Sequence, residues 1–392
     1  MKKVLLHTII LMIMSIDIYA KGDIVPVEPT VKVEDAQQND ALFKTLDGYI
    51  RFGYQHDDKS NTDLALGGKL HIETKAWNGL SAGASFYTTN SLGQHDGAGY
   101  SFFDTNNNSY SILGEAYLQG QWGNTTLKIG RQEIDTPFAD TDDIGMIPDT
   151  YEAAVLINKD IADTTIILAQ LQKGAGVDFD KPSKFTKING SNNVQTFGVI
   201  YEGIQGLTAS GWYYNLKDFD IDSIVYADVN YEGESNGFSY ALGAQYASEN
   251  YSASGTDAAS IYGMSASAGY AGVTLLAAYN KSNDNAASNG FGGGPFFTSS
   301  NFMTLVEAGS DGEALLLNAE WDASDAGLAG LTLSVGKLTL TDASGTDTDE
   351  LDIGVSYAFN DKLGIDAFYS DIDDKINADK FKNTRIFVNY TF

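Results

Sequence analysis

The residues that could do chemistry are few, and their spacing excludes most of it. Histidine occurs at His7, His56, His71 and His95, and none stands in a Gly-x-Ser-x-Gly or His-Glu-x-x-His context. A serine hydrolase needs the first and a zinc peptidase the second, because the nucleophile sits on a sharp turn and the metal takes two imidazoles one helical turn apart. Cysteine is absent, which removes disulfides, thiol nucleophiles, Cys-ligated zinc and iron–sulfur clusters together. No catalytic residue is assigned, and the chain is not read as an enzyme. Carboxylates remain. Asp140-Thr-Asp142-Asp143, Asp347-Thr-Asp349-Glu350, and Asp371 with Asp373 and Asp374 gather oxygens of the kind that hold Ca2+. None has the spacing or the glycine of an EF-hand. The last two clusters are read as solvated loop charge, and the first as an unliganded acidic constriction with Ca2+ as its alternative; no other cofactor is expected.

The 392 residues carry 52 Asp plus Glu against 24 Lys plus Arg, a formal charge of −28. Such a surface repels phosphate backbones, so nucleic acid is excluded as a partner. Gly and aromatic residues are spread without a Pro- or Ser-rich break, which favours one large β domain over several linked ones.

At the start, Met1-Lys2-Lys3, an apolar Val4 to Ile16 and a small Ala20 read as a secretory signal peptide over 1–20. Residues 21–45 form a polar N-terminal periplasmic extension, and 46–392 the remaining domain. There the dominant signal has period two. Leu46, Gly48, Ile50, Phe52 and Tyr54 share one face and Asp47, Arg51 and Gln55 the other; Leu64, Leu66, Leu70 and Ile72 oppose Lys69, His71, Glu73 and Lys75. About eighteen such segments of about ten residues follow, the length that crosses a bilayer as a tilted strand. Ile166 to Leu171, Val194 to Tyr201 and Leu331 to Leu340 alternate poorly, and Gly336 is read as a bulge in the last.

Connectors alternate between short turns such as Trp77-Asn78-Gly79 and long polar stretches such as Gln132 to Asp149, Lys281 to Gly312 and Asp371 to Lys382. Outer-membrane barrels have this asymmetry, with short turns in the periplasm and long loops outside. Trp77, Trp122, Tyr151, Tyr231, Tyr270, Trp321 and Phe359 sit at segment ends, where interfacial girdles belong. The last segment alternates to Tyr390 and Phe392 and is read as the signal for the barrel-assembly machinery.

The run Gly114 to Leu156 contains Gly130-Arg131-Gln132, Asp142-Asp143 and Met146-Ile147-Pro148. It resembles the OprD-like outer-membrane porins, in which a strand with a Gly-Arg-Gln-like end leads into an Asp-rich loop closed by a Met-Ile-Pro or Leu-Leu-Pro element. Gly292 to Leu305, with Gly294-Pro295-Phe296, is a weaker echo. The resemblance implies an eighteen-stranded channel whose third extracellular loop folds inward, and, by analogy, a homotrimer. It departs from carboxylate-preferring members, which carry a ladder of basic residues on one wall, in having three arginines: Arg51, Arg131 and Arg385.

The expectation is an all-β transmembrane antiparallel barrel of about eighteen strands in a Gram-negative outer membrane, with an infolded constriction loop, passing ions and small hydrophilic solutes with a preference for cations. A channel selective for small organic or amino acids, and an adhesin or receptor barrel, are the alternatives. Asp135, Asp140, Asp142 and Asp143 are assigned to the constriction loop. Arg51, Lys69, Glu73, Lys75, Glu115, Lys128, Arg131 and Glu152 are assigned to the channel lining. Parity puts Arg131 with Leu127 and Ile129 on the lipid side, so its strand is expected to end before it.

Overall fold

The computed structural model describes residues 42–98, 102–179, 181–190, 193–217, 220–253 and 255–392. The expected signal segment and residues 21–41 of the lead-in lie outside them. Eighteen spanning strands run through the described residues. They are β1 (Phe43–Asp57), β2 (Thr62–Thr74), β3 (Leu80–His95), β4 (Tyr110–Trp122), β5 (Thr125–Gln132), β6 (Thr150–Asn158), β7 (Thr164–Ala175), β8 (Val194–Ile204) and β9 (Leu207–Asn215). Then come β10 (Ile221–Ser235), β11 (Phe238–Tyr251), β12 (Ala259–Tyr270), β13 (Val273–Asn283), β14 (Glu313–Asp322), β15 (Leu331–Thr341), β16 (Asp347–Asn360), β17 (Leu363–Asp374) and β18 (Asp379–Thr391). β1 begins at Phe43, inside the segment expected to precede the barrel. Each strand pairs antiparallel with its sequence neighbours, and β1 pairs with β18 from Tyr49 opposite Thr391 to Asp57 opposite Asn383. The sheet therefore closes and presents no open edge of unpaired backbone groups to the bilayer.

The two ends of the barrel differ. At one end tight turns follow local chemistry: Asn78-Gly79 and Asn236-Gly237 hold both central residues at positive φ, at 51° and 82° and at 55° and 75°. That is the hairpin geometry whose twist matches the strands, and Asn-Gly adopts it at least cost. At the other end lie the connections 96–109, 133–149, 176–193 and 284–312. Asp371 to Lys382 is not among the long ones. β17 and β18 continue through it, because Asp371 pairs with Lys382 and Asp373 with Lys380 across the ladder, leaving 375–378 as the turn.

Outward positions are apolar and exposed, as Leu66, Leu70, Leu118, Ile129, Leu275, Leu317, Val335 and Ile353 illustrate. Trp77, Trp122, Tyr231, Tyr270 and Phe359 form an exposed aromatic band at the short-turn end. Tyr151 is not part of it; it is buried and points into the barrel.

The inner face is where apolar packing is concentrated. One cluster joins Ile134, Phe138 and Tyr151 to Trp212, Tyr214, Tyr226, Leu276, Phe296, Leu338, Leu340 and Ile372. A second joins Tyr87, Phe102, Met146, Ile147 and Phe387. Loops folded into the lumen meet these walls. The poor alternation of β15 follows from this, not from a bulge at Gly336, since its register is unbroken. Leu338 and Leu340 face inward beneath the infolded chain, while Lys337 faces out and pairs with Asp349 at 3.1 Å. Register shifts lie elsewhere, for example in β4, where Ser85 pairs with Glu115 and Phe86 with Leu113, skipping Gly114, and in β2 between Asp63 and Ala65.

Candidate channel constriction

The loop 133–149 leaves β5, forms a small hairpin of Asp135–Thr136 against Ala139–Asp140, and returns to β6. Arg51 holds its far end. The guanidinium meets Asp143 in a two-point contact, Nη1 to Oδ1 at 2.6 Å and Nη2 to Oδ2 at 2.7 Å, donates to the Gly145 carbonyl at 2.8 Å, and places Nε on Asn389 at 2.8 Å. Two parallel charge-assisted bonds fix orientation as well as distance, which one ammonium does not. Arg385 on β18 donates to the Ile144 carbonyl at 3.1 Å and lies over Phe302 and Phe368. Gly53 makes room for the loop, because a Cβ there would stand 2.5 Å from the Met146 sulfur and 2.9 Å from Phe102.

A second loop shares the lumen. Within 284–312, Phe291 N donates to the Phe138 carbonyl at 2.8 Å, and Tyr151 donates to the carbonyls of Asp140 at 2.7 Å and Phe291 at 2.5 Å, joining the loops. Gly292 and Gly293, at φ 114° and 84°, let the chain run close against Asp140. Gln245 grips the Pro295 carbonyl and Phe297 N, and Glu350 accepts from Phe302 N and Met303 N at 2.9 Å each. Glu350 is thus a buried wall anchor and not solvated loop charge. Period two turns it inward while Asp349 faces out, and Asp374 is likewise inward, accepting from Thr348.

Beside these loops, β2 to β5 carry a charged patch. Lys69 lies 3.1 Å from Glu115 and 2.8 Å from Glu133, and Lys128 lies 3.9 Å from Glu115 and 3.9 Å above the Tyr117 ring. Ser85 and Tyr87 donate to Glu115 at 2.6 and 3.2 Å, and Tyr87 also reaches Glu133 at 2.7 Å. His71 contacts Ser85 at 2.8 Å, a wall residue in a polar setting.

Of the four loop aspartates, Asp135 is exposed, whereas Asp140, Asp142 and Asp143 are buried. Asp143 commits both oxygens to Arg51, and no group of three His, Cys, Asp or Glu suited to a metal is found among the described residues. Asp149, where the loop ends, is also buried. Burial, with Asp178 beside it, pushes its carboxyl well above the usual carboxylate range.

Arg51, Lys69, Glu115 and Lys128 face the lumen. Glu73 does so near the short-turn end, 3.4 Å from Lys44. Lys75 stands beyond the end of β2 in the turn, so no strand face aims it inward. Arg131 and Glu152 are on the outer face: β5 runs on to Gln132 with unbroken register, Arg131 sits opposite Glu152 at 3.8 Å, and Phe185 stacks on its guanidinium at 4.3 Å. Near the loop end such an outward charge costs only about 0 to 1 kcal/mol, which is why the strand need not stop. Glu133 is a constriction residue that residue types did not single out, while Glu350 entered only as solvated loop charge and Arg385 only as one of three arginines, without a place in the constriction.

Tyr390 and Phe392 are exposed on the last strand, and Phe392 exchanges backbone hydrogen bonds with Gly48. A family model described as outer membrane porin, OprD family, matches residues 94–392. No curated protein sequence matches the chain. Among solved structures, OpdK of Pseudomonas aeruginosa, determined with vanillate, superposes with a TM-score of 0.77 at 15% identity over 88% of this chain and 98% of its own. A BenF-like porin from Pseudomonas fluorescens Pf-5 gives 0.76 at 16% identity over 90% and 100%, and OccK8 (OprE) of Pseudomonas aeruginosa gives 0.73 at 17% over 88% and 97%. With a closed eighteen-stranded barrel narrowed by loops lashed to its inner wall, the chain belongs to the OprD family of outer-membrane porins, through which small solutes pass by diffusion.

Proposed function

We propose that this porin prefers cations among the small hydrophilic solutes it passes. The observation that carries the reading is that carboxylates engage the wall cations: Arg51 by Asp143, Lys69 by Glu115 and Glu133, and Lys128 by Glu115. A lysine without a near carboxylate offers a passing anion its full charge, whereas a paired one offers a dipole. Asp135, Asp140 and Asp142 then add negative charge around the narrow part, and a low-dielectric wall focuses that potential on the permeating ion. A second reading, a channel selective for small organic or amino acids, draws on the neighbour determined with vanillate. Export by the signal segment 1–20, recognition of the terminal strand ending in Phe392 by the barrel-assembly machinery, a homotrimeric state and the absence of catalysis belong to the same proposal. The test is the reversal potential of the purified protein in a planar bilayer under a KCl gradient. A K+-selective sign is expected, and a Cl−-selective sign overturns the preference.

A further inference from the structure

We propose that Glu133 sets the charge preference of the pore, by standing as a resident counter-ion in an anion-binding pair made by Lys69 and Tyr87. The two carboxylates near Lys69 differ in kind. Glu115 belongs to the wall strand β4; its side chain is 5% exposed, and it also accepts from Ser85 and faces Lys128. Glu133 is the first residue of the infolded loop, and its side chain is 36% exposed. On a single oxygen of Glu133, Oε1, converge the Lys69 ammonium at 2.8 Å and the Tyr87 hydroxyl at 2.7 Å. A cation and a neutral donor aimed at one point, on a wall that water reaches, are what a diffusing anion would need. The loop delivers a carboxylate to that point from within the chain.

The charge balance makes the consequence definite. Lys69, Lys128, Glu115 and Glu133 cancel; without the charge of Glu133 the patch is positive by one unit beside the infolded loop. The two donors would then keep only Glu115, at 3.1 and 3.2 Å, a single carboxylate already faced by Lys128, and the surplus positive charge would draw a solute anion to the side that Glu133 now occupies. Glu133 therefore determines which sign of ion the patch attracts, while the buried Asp143 of the same loop serves its attachment.

This inference rests on the reading of the pore as cation-preferring, and the experiment separates the two. Reversal potentials in a KCl gradient are compared for the wild type, Glu133→Gln, Glu133→Asp, and Glu133→Gln combined with Lys69→Gln. Glu133→Gln should lower the K+/Cl− permeability ratio by about fivefold, the order expected of one unit charge acting near a passing ion at water-like dielectric. Glu133→Asp should stay near the wild type, and the double variant should return towards it. Since the chain has no cysteine, Glu133→Cys inserted in the bilayer and then modified by a sulfonate-bearing thiol reagent offers the same test on one folded molecule; restoring the charge should move the potential back towards K+. An unchanged ratio in Glu133→Gln, or a double variant that behaves like Glu133→Gln alone, overturns the inference. A wild type that prefers Cl− while Glu133→Gln prefers it more sinks the cation reading and leaves the role of Glu133 standing.

Discussion

The inner wall is used in two ways. Along β2 to β5 it is wet: Lys69, His71, Glu115 and Lys128 hold one another in a charged patch that remains partly open to the lumen. Along β6 to β17 it is dry, and Tyr151, Trp212, Tyr214, Tyr226, Leu276, Leu316 and Leu340 pack against Phe138, Phe291, Phe296 and Leu305 from the loops. The seam strands β1 and β18 stand between, apolar at Phe387 yet supplying the two buried arginines. One fold thus separates selection from support. The wet wall presents charge to solutes, and the dry wall holds the loops that force solutes close to that charge.

The largest expected effect comes from breaking the support. Arg51→Met leaves Asp143 as a buried carboxylate without its cation, a change that costs about 3 to 5 kcal/mol when a buried pair loses one partner. The loop should come away from β1, seen as a rise in single-channel conductance, more open-channel noise and new protease cleavage within 133–149. An unchanged conductance would mean that the dry wall alone holds the loop.

Removing one hydroxyl sharpens the same contrast more gently. Tyr151→Phe withdraws the donor shared by the Asp140 and Phe291 carbonyls and should cost about 1 to 3 kcal/mol, the range for stranding buried acceptors. The expected result is a lower unfolding temperature and faster cleavage of 284–312, with the ion preference unchanged because the wet wall is untouched. A shift in reversal potential would show that the division of labour is not clean.

The smallest effect concerns pH. The Asp149 carboxyl is pushed up by burial and by Asp178, so the folded state binds its proton more tightly than the unfolded state does. That contribution to stability is fully present below the ordinary aspartate range and fades as pH rises through the elevated folded value. Thermal unfolding in detergent should therefore weaken from acid towards neutral and alkaline pH, and Asp149→Asn should flatten the slope. Equal slopes in the two proteins would remove Asp149 from the account.

What the sequence revealed divides along the same line. Where the inner wall is wet, alternation is clean apart from the skip at Gly114, and the inward placement of Arg51, Lys69, Glu115 and Lys128 follows from period two within each unbroken run. Where the wall is dry, both faces of a strand are apolar and the period vanishes. Leu338 and Leu340 therefore looked like a disturbance at Gly336 when they mark the footprint of a loop from elsewhere in the chain. Tyr151 was misread for a related reason, since an aromatic at a strand end serves a membrane interface or a loop anchor equally well and only the facing chain decides. Asp143 was legible as a loop acid but not as the partner of Arg51, because nothing local links two residues on different elements. Glu133 drew no attention for the same reason, its two donors lying on β2 and β3.

The seam between β1 and β18 has a consequence in time. Tyr49 meets Thr391 and Asp57 meets Asn383, so the strand made first must wait for the strand made last. The entropic cost of bringing such distant segments together grows only logarithmically with the intervening length, so the wait is a matter of order more than of energy. Until the seam zips, the growing sheet carries two open edges, each a row of unpaired amides able to template pairing with another chain. In the finished barrel those edges are gone.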